Sequence, residues 1–126
     1  MKNKINLGLR LLLGGLLLVF GLNKFFDFMP KFEFPDQKVA DYFYDLWHYA
    51  KVMYVVGFVE ALVGVMLIFG RFVPLALLFL APISVNIVLF HAVLDPPNIG
   101  PALFVAALNI YFFFQYRPAY DGVLKP

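Results

Sequence analysis

There is no cysteine in this chain. That excludes disulfides, thiol relays, iron–sulfur clusters and haem attached through Cys-x-x-Cys-His. Charge is scarce as well. With 10 basic and 8 acidic residues in 126, the net charge of +2 is too weak and too scattered to hold a nucleic acid. The sequence has no phosphate loop, no dinucleotide fingerprint, no Gly-x-Ser-x-Gly and no His-Glu-x-x-His, so no familiar soluble-enzyme chemistry is written in it. What it has in abundance is apolar surface, at 63% of residues. A soluble protein this small could not bury so much of it, whereas lipid can cover it.

Four apolar segments are long enough to span a bilayer, whose hydrocarbon core of ~30 Å takes ~20 helical residues. They run over about 5–26, 52–69, 72–94 and 99–116. Lys2 and Lys4 precede the first, which is too long for a signal-peptide core and ends without a small-x-small cleavage site; a retained span is expected. Gly70-Arg71 is a tight connection, so the second and third spans should form an antiparallel hairpin. Pro82 lies mid-span and predicts a kink. Asn98 is positioned to cap the fourth helix, with Pro101 tolerated in its first turn. The expected fold is all-α, a single membrane domain over 1–126 built as a four-helix transmembrane bundle. With the N-terminus inside, Lys2, Lys4, Arg10, Arg71, Arg117 and Lys125 fall inside. Lys24, Lys31, Lys38 and Lys51 fall outside. The bias places both termini in the cytoplasm.

One connection is long. It opens with an extended, proline-bounded piece over 28–35. Then Val39, Tyr42, Phe43, Leu46, Trp47 and Ala50 recur at helical spacing, giving an amphipathic helix over about 36–50 with Asp36 as N-cap. It reads as an interfacial helix between the first and second spans, anchored by Trp47 and Tyr49, with a lid over the bundle as the alternative. The last residues, 118–126, read as a short surface extension.

Glu60 is the residue that matters most. It is a carboxylate in the middle of an apolar run, and a charge there costs several kcal/mol unless it finds a partner, a cavity or a bound proton. Counting inward from the outer ends, Glu60, Asn86 and Asn109 lie 9, 8 and 10 residues deep. At ~1.5 Å per residue all three fall ~12–15 Å below the boundary, with Ser84 slightly deeper. Polar groups in lipid turn inward and find one another, so a shared polar layer is expected. Small residues support the same inward faces: Gly57 and Gly64 flank Glu60, Gly14 and Gly21 lie on a stripe with Arg10 and Lys24, and Ala102 and Ala106 lie on one with Asn109. Gly57 and Gly64 also leave space beside Glu60 for a ligand. Two accounts stay open: the asparagines hydrogen-bond Glu60 and only hold the bundle together, or the same groups line a cavity.

Lys24 and Arg10 lie near opposite edges of the first span, and spacing alone favours snorkelling to the interfaces. His91 is 4 residues before Asp95, a pair able to relay protons, though two ligands do not make a metal site and none is expected. Asn86 and His91 are 5 residues apart, about 140° around a helix, so they do not share one face.

In this order and spacing the chain resembles the DoxX and DoxX-like family of small four-helix membrane proteins. The likeness rests on Arg10-Leu-Leu-Leu-Gly14, Phe20-Gly-Leu-Asn-Lys24, the run from Gly57 through Glu60 to Gly64, the Gly70-Arg71 turn, and the run from Ala81 through Asn86 to His91. The resemblance implies links to sulfur or thiol redox chemistry, in which a related subunit belongs to a thiosulfate:quinone oxidoreductase; an animal relative, NACHO, is similar to a membrane chaperone. It points to Arg10, Lys24, Glu60 and His91, and implies that Arg10 and Lys24 face inward. With no cysteine here, any redox role needs a quinone or a partner subunit to carry the electrons.

The expectation is a bacterial inner-membrane protein that binds a lipophilic molecule, a quinone or lipid, near Glu60, or serves as an accessory subunit. The alternatives are a quinone-linked oxidoreductase subunit and a chaperone or scaffold that contacts clients through 27–51. The candidate ligand-binding or proton-handling residues are Glu60, Asn86, Asn109, His91, Arg10 and Lys24. Expected partners are membrane lipids and a membrane or periplasmic protein, with a homo-oligomer and catalysis both left open.

Overall fold

The computed structural model of the chain describes residues 2–29 and 33–124. Lys31, Lys125 and the centre of the 28–35 piece lie outside the described residues. All regular structure among the described residues is helical: α1 (Lys2–Phe26), α2 (Gln37–Tyr44), α3 (Val52–Phe69), α4 (Val73–Leu94), α5 (Gly100–Gln115) and a short α6 (Asp121–Leu124). Three of them, α1, α3 and α4, are long and apolar enough to cross a membrane; α5 is apolar but has 16 residues. The outer surface carries large apolar side chains such as Val55, Phe58, Val85, Leu89 and Phe114, which only acyl chains would solvate well. This is an integral membrane protein.

α1 and α3 form the closest pair, and glycine makes it possible. A Cβ on Gly14 would lie 2.9 Å from the Gly64 carbonyl, and one on Gly21 would lie 2.6 Å from the Gly57 carbonyl. These pairs run in opposite order along the two helices, so the helices are antiparallel with backbones in contact. The glycines beside Glu60 therefore leave no space for a ligand; the facing helix fills it. In lipid, where apolar surface gains nothing by leaving the solvent, such close packing is a main source of helix association.

Leu13 and Leu17 of α1, Val63 and Leu67 of α3, Leu77 of α4 and Phe112 of α5 meet in one core. α3 ends at Gly70, whose φ of 68° is the left-handed conformation glycine adopts without strain, and the Arg71 N–H reaches back to the Met66 carbonyl at 3.0 Å. α4 then returns and continues unbroken through Pro82. Asn6 of α1 donates to Gln115 near the end of α5, and Tyr120, just beyond α5, donates to the Pro74 carbonyl at 2.8 Å. One end of the bundle thus gathers the start of α1, the end of α3, the start of α4 and the end of α5.

Tyr120 is buried, and that burial, with a smaller contribution from Tyr116, pushes its hydroxyl up to about 12. The folded state therefore holds this proton more tightly than the unfolded chain. The contribution is complete below the unfolded value of 10.0 and is lost as pH rises towards 12. Thermal melts in detergent across that window should show stability falling more steeply in the wild type than in Tyr120→Phe. The variant should cost about 1 kcal/mol at neutral pH for the lost hydrogen bond. Parallel curves would rule this account out.

The segment expected as one amphipathic helix over 36–50 divides in two. Asp36 caps α2 as its sequence suggests, accepting from the Lys38 N–H at 3.0 Å. From Asp45 to Tyr49 the chain widens to a π-helical turn, closed by the Ala50 N–H on the Asp45 carbonyl. That added residue per turn re-aims Trp47 inward, where its indole N–H donates to the Lys24 carbonyl at 2.9 Å. Asp27 and Lys51, at either end of this connection, both have left-handed backbones, with φ of 49° and 62°. The predicted cap on the fourth helix is not made. Asn98 bonds instead to Asp95 and to the Glu33 carbonyl, and α5 starts at Gly100 with Ile99 in the cap position and no side-chain cap. Asp95 has no exposed surface, so its need for a donor outweighs that of a helix end.

Candidate functional site

Each of α1 and α3 carries a glycine followed, three residues on, by a charge: Gly21 and Lys24, Gly57 and Glu60. The two glycines bring the backbones together, and the two charges then meet. Lys24 Nζ lies 2.6 Å from Glu60 Oε1, with Glu60 only 2% exposed. Gly57 also admits the lysine stem, since a Cβ there would lie 2.8 Å from Lys24 Cβ. Lys24 thus sits level with Gly57, several residues below the start of α3, and Trp47 covers it. That is why it does not snorkel, as spacing alone suggested. The ammonium also reaches the Phe20 carbonyl at 3.4 Å. The contact with Glu60 is a close ion pair rather than a well-aligned hydrogen bond.

A cavity of about 740 Å³ opens beside this pair. α1, α3, α4 and α5 all contribute walls, and α2 with its π-helical turn supplies the roof. The surfaces are mostly apolar and aromatic. Phe43 packs on Phe90 with ring centres 5.8 Å apart and on Trp47 edge-to-face at 5.8 Å; Tyr42 stacks on Phe90 at 6.3 Å. Sequence alone favours an interfacial helix for Tyr42, Phe43 and Trp47, with a lid over the bundle as the alternative, and the arrangement seen is the lid-like one. Their role as a roof depends on Trp47 turning onto α1, which no local pattern reveals.

The predicted polar layer is not assembled around Glu60. Asn109 is buried, but it accepts from Ser84 Oγ at 3.1 Å and donates to the Leu77 carbonyl at 3.3 Å, clasping α5 to α4. Asn86 donates to the Pro82 carbonyl at 2.9 Å and borders the cavity from a more exposed position. Both asparagines find their donors or acceptors on α4, and Glu60 has Lys24 as its partner. Arg10 lies at the far end of the bundle, its guanidinium against Gly70: a Cβ there would come within 2.9 Å of Nη2. It faces the carbonyl end of α3, where a cation is favourable, and takes no part in the cavity. His91 borders the cavity, its Nδ1 3.2 Å from Asp95 Oδ2. Of the six candidates, then, Lys24, Glu60, Asn86 and His91 meet at one cavity, while Asn109 and Arg10 lie elsewhere.

The DoxX family model matches residues 5–92, which take in α2, α3 and nearly all of α1 and α4. The chain belongs to the DoxX family. No curated protein and no solved structure matches it. The matched stretch of this DoxX protein contains Lys24, Glu60 and His91, so the ion pair and the cavity wall opposite it belong to the family part. α5, with Asn109, lies beyond it. Among the described residues, no three His, Cys, Asp or Glu side chains are grouped to hold a metal ion.

Proposed function

We propose that this DoxX protein is a four-pass bundle that binds an amphiphilic small molecule, a quinone or a membrane lipid, with its polar head at the Lys24–Glu60 pair. The observation that carries the reading is the pair itself: two opposite charges, almost wholly withdrawn from solvent, open onto a cavity of about 740 Å³ whose other surfaces are mostly apolar. A large apolar pocket with a few convergent polar groups is the usual form of a small-molecule site. Although α5 has only 16 residues, the contacts at its two flanks reach both ends of α4, which supports a fourth crossing. The basic residues favour both termini in the cytoplasm, and so a cavity on the outer side of a bacterial inner membrane.

The residues present suit a quinone. Lys24 supplies N–H donors for a carbonyl oxygen, and the rings of Phe43, Trp47 and Phe90 offer flat surfaces for a conjugated headgroup. When bound, a quinone would supply the two-electron redox chemistry that a chain without cysteine lacks. The protein's part would be to orient the headgroup and exclude water.

Trp47 is the sole tryptophan and borders the cavity, so its emission reports occupancy directly. Titrating detergent-purified protein with a short-chain quinone should quench it saturably. Glu60→Gln, which frees the lysine from its counter-ion, should change the affinity about tenfold, the value of one charge-assisted hydrogen bond. Mass spectrometry of organic extracts should also find a co-purifying amphiphile. No saturable quenching, no co-purifying molecule and a Glu60→Gln variant identical to wild type would together dispose of the reading.

A further inference from the structure

The Lys24–Glu60 pair leaves a second polar cluster of the cavity unused. Asp95 has no exposed surface, although it ends α4. The Asn98 amide bridges its two oxygens at 2.9 and 3.0 Å, and His91 Nδ1 lies 3.2 Å from one of them. Asn98 is in turn held by the Glu33 carbonyl at 3.1 Å, and the Phe90 ring stands edge-to-face against His91. A carboxylate only accepts, so the hydrogen in the His91–Asp95 contact belongs to Nδ1. A neutral imidazole has a single ring hydrogen. Its Nε2 is then left with a lone pair, on a side chain that borders the cavity.

Holding the turn at 95–98 requires Asp95 and Asn98 but no imidazole. A leucine at position 91 would fill the wall of an apolar cavity at less cost. The cluster does what a positioning device does: a buried acceptor sets the tautomer and orientation of a ring that borders the space where a ligand would lie. We infer that His91 selects amphiphiles carrying an O–H donor, phenols and hydroquinones as a class, by accepting that hydrogen at Nε2, with Asp95 fixing the tautomer. The inference rests on the cavity being a ligand site, as proposed above.

A matched pair of probes tests it. Para-nonylphenol and its methyl ether, para-nonylanisole, differ only in the O–H. Each is titrated into detergent-purified protein at neutral pH, with Trp47 emission as the readout. The wild type should bind the phenol about five- to tenfold more tightly than the ether, the worth of one net hydrogen bond. His91→Phe should bring that ratio to about one, since the acceptor is lost while Asn98 still donates to both oxygens of Asp95. Asp95→Asn is the sharper variant. Its amide can donate to Nδ1 and so move the ring hydrogen to Nε2, which turns the acceptor into a donor; the preference should then vanish or reverse. A purely structural role for Asp95 would weaken both probes alike.

Equal affinity for the two probes in the wild type overturns the inference and leaves the cavity reading standing, as does a preference that persists in His91→Phe. Binding of neither probe removes the cavity reading and this inference with it. Should Asp95→Asn lose its helical circular dichroism, the wild-type ratio and the His91→Phe ratio decide.

Discussion

Lys24→Met is expected to cost about 3–5 kcal/mol of stability, the range seen when one partner of a buried ion pair is removed. The charge left behind is Glu60, with 2% of its surface exposed and no other cation in contact among the described residues. The reverse change, Glu60→Leu, should cost less, because Lys24 is 14% exposed and its ammonium already reaches the Phe20 carbonyl. A flexible stem lets the lysine draw back towards water, which a short carboxylate cannot do. The double variant Lys24→Met, Glu60→Leu should recover most of the loss, since an apolar pair of similar volume escapes the desolvation cost altogether. Unfolding midpoints in mixed micelles of the two single variants and the double variant measure the coupling. Additive losses would mean that the 2.6 Å contact contributes nothing to the fold. The double variant should fold and still lose the polar-headed ligand, which separates what the pair does for stability from what it does for binding.

The second large effect is steric. A Cβ on Gly21 would lie 2.6 Å from both the Gly57 carbonyl and the Ala61 nitrogen, and these are backbone atoms that cannot swing aside. Gly21→Ala must therefore push α1 and α3 apart along their length, for about 3 kcal/mol or more, at the upper end of the cost of overpacking. The ion pair depends on the same approach, so the variant should also lose ligand binding. Gly15 supplies the control, because a Cβ there meets nothing within 4 Å. Gly15→Ala should be neutral or stabilise by up to about 1 kcal/mol through helix propensity. Equal behaviour of the two variants would refute the close-packed glycine interface.

Much of this was legible in the residues. Apolar run lengths, the Gly70-Arg71 turn and the Asp36 cap depend on local chemistry, and the sequence states them directly. Glu60 could be singled out because a carboxylate deep in an apolar run always needs an explanation. Its partner could not be assigned by depth counting, which matched it with Asn86 and Asn109. That count took every helix to begin at the same height, whereas Lys24 is level with Gly57 and beneath Trp47. A signal was present all the same: glycine followed by a charge three residues on, once in each helix, in antiparallel helices. Asn98 was misread for a related reason. As a cap it satisfies local rules, but the buried Asp95 carboxylate beside it is the more demanding acceptor.

Composition and periodicity on their own determined that this chain lives in lipid, that it does so as helices, and that one acid in it must be shielded. These follow from the solvent and from the hydrogen-bonding needs of the backbone, which act on each segment separately. Tertiary structure alone decided which polar groups meet, that the glycines bring two backbones into contact rather than leaving a void, and that the aromatic connection roofs a cavity. Those outcomes depend on the relative height and rotation of helices distant in sequence, set by a sum of contacts that no single segment contains.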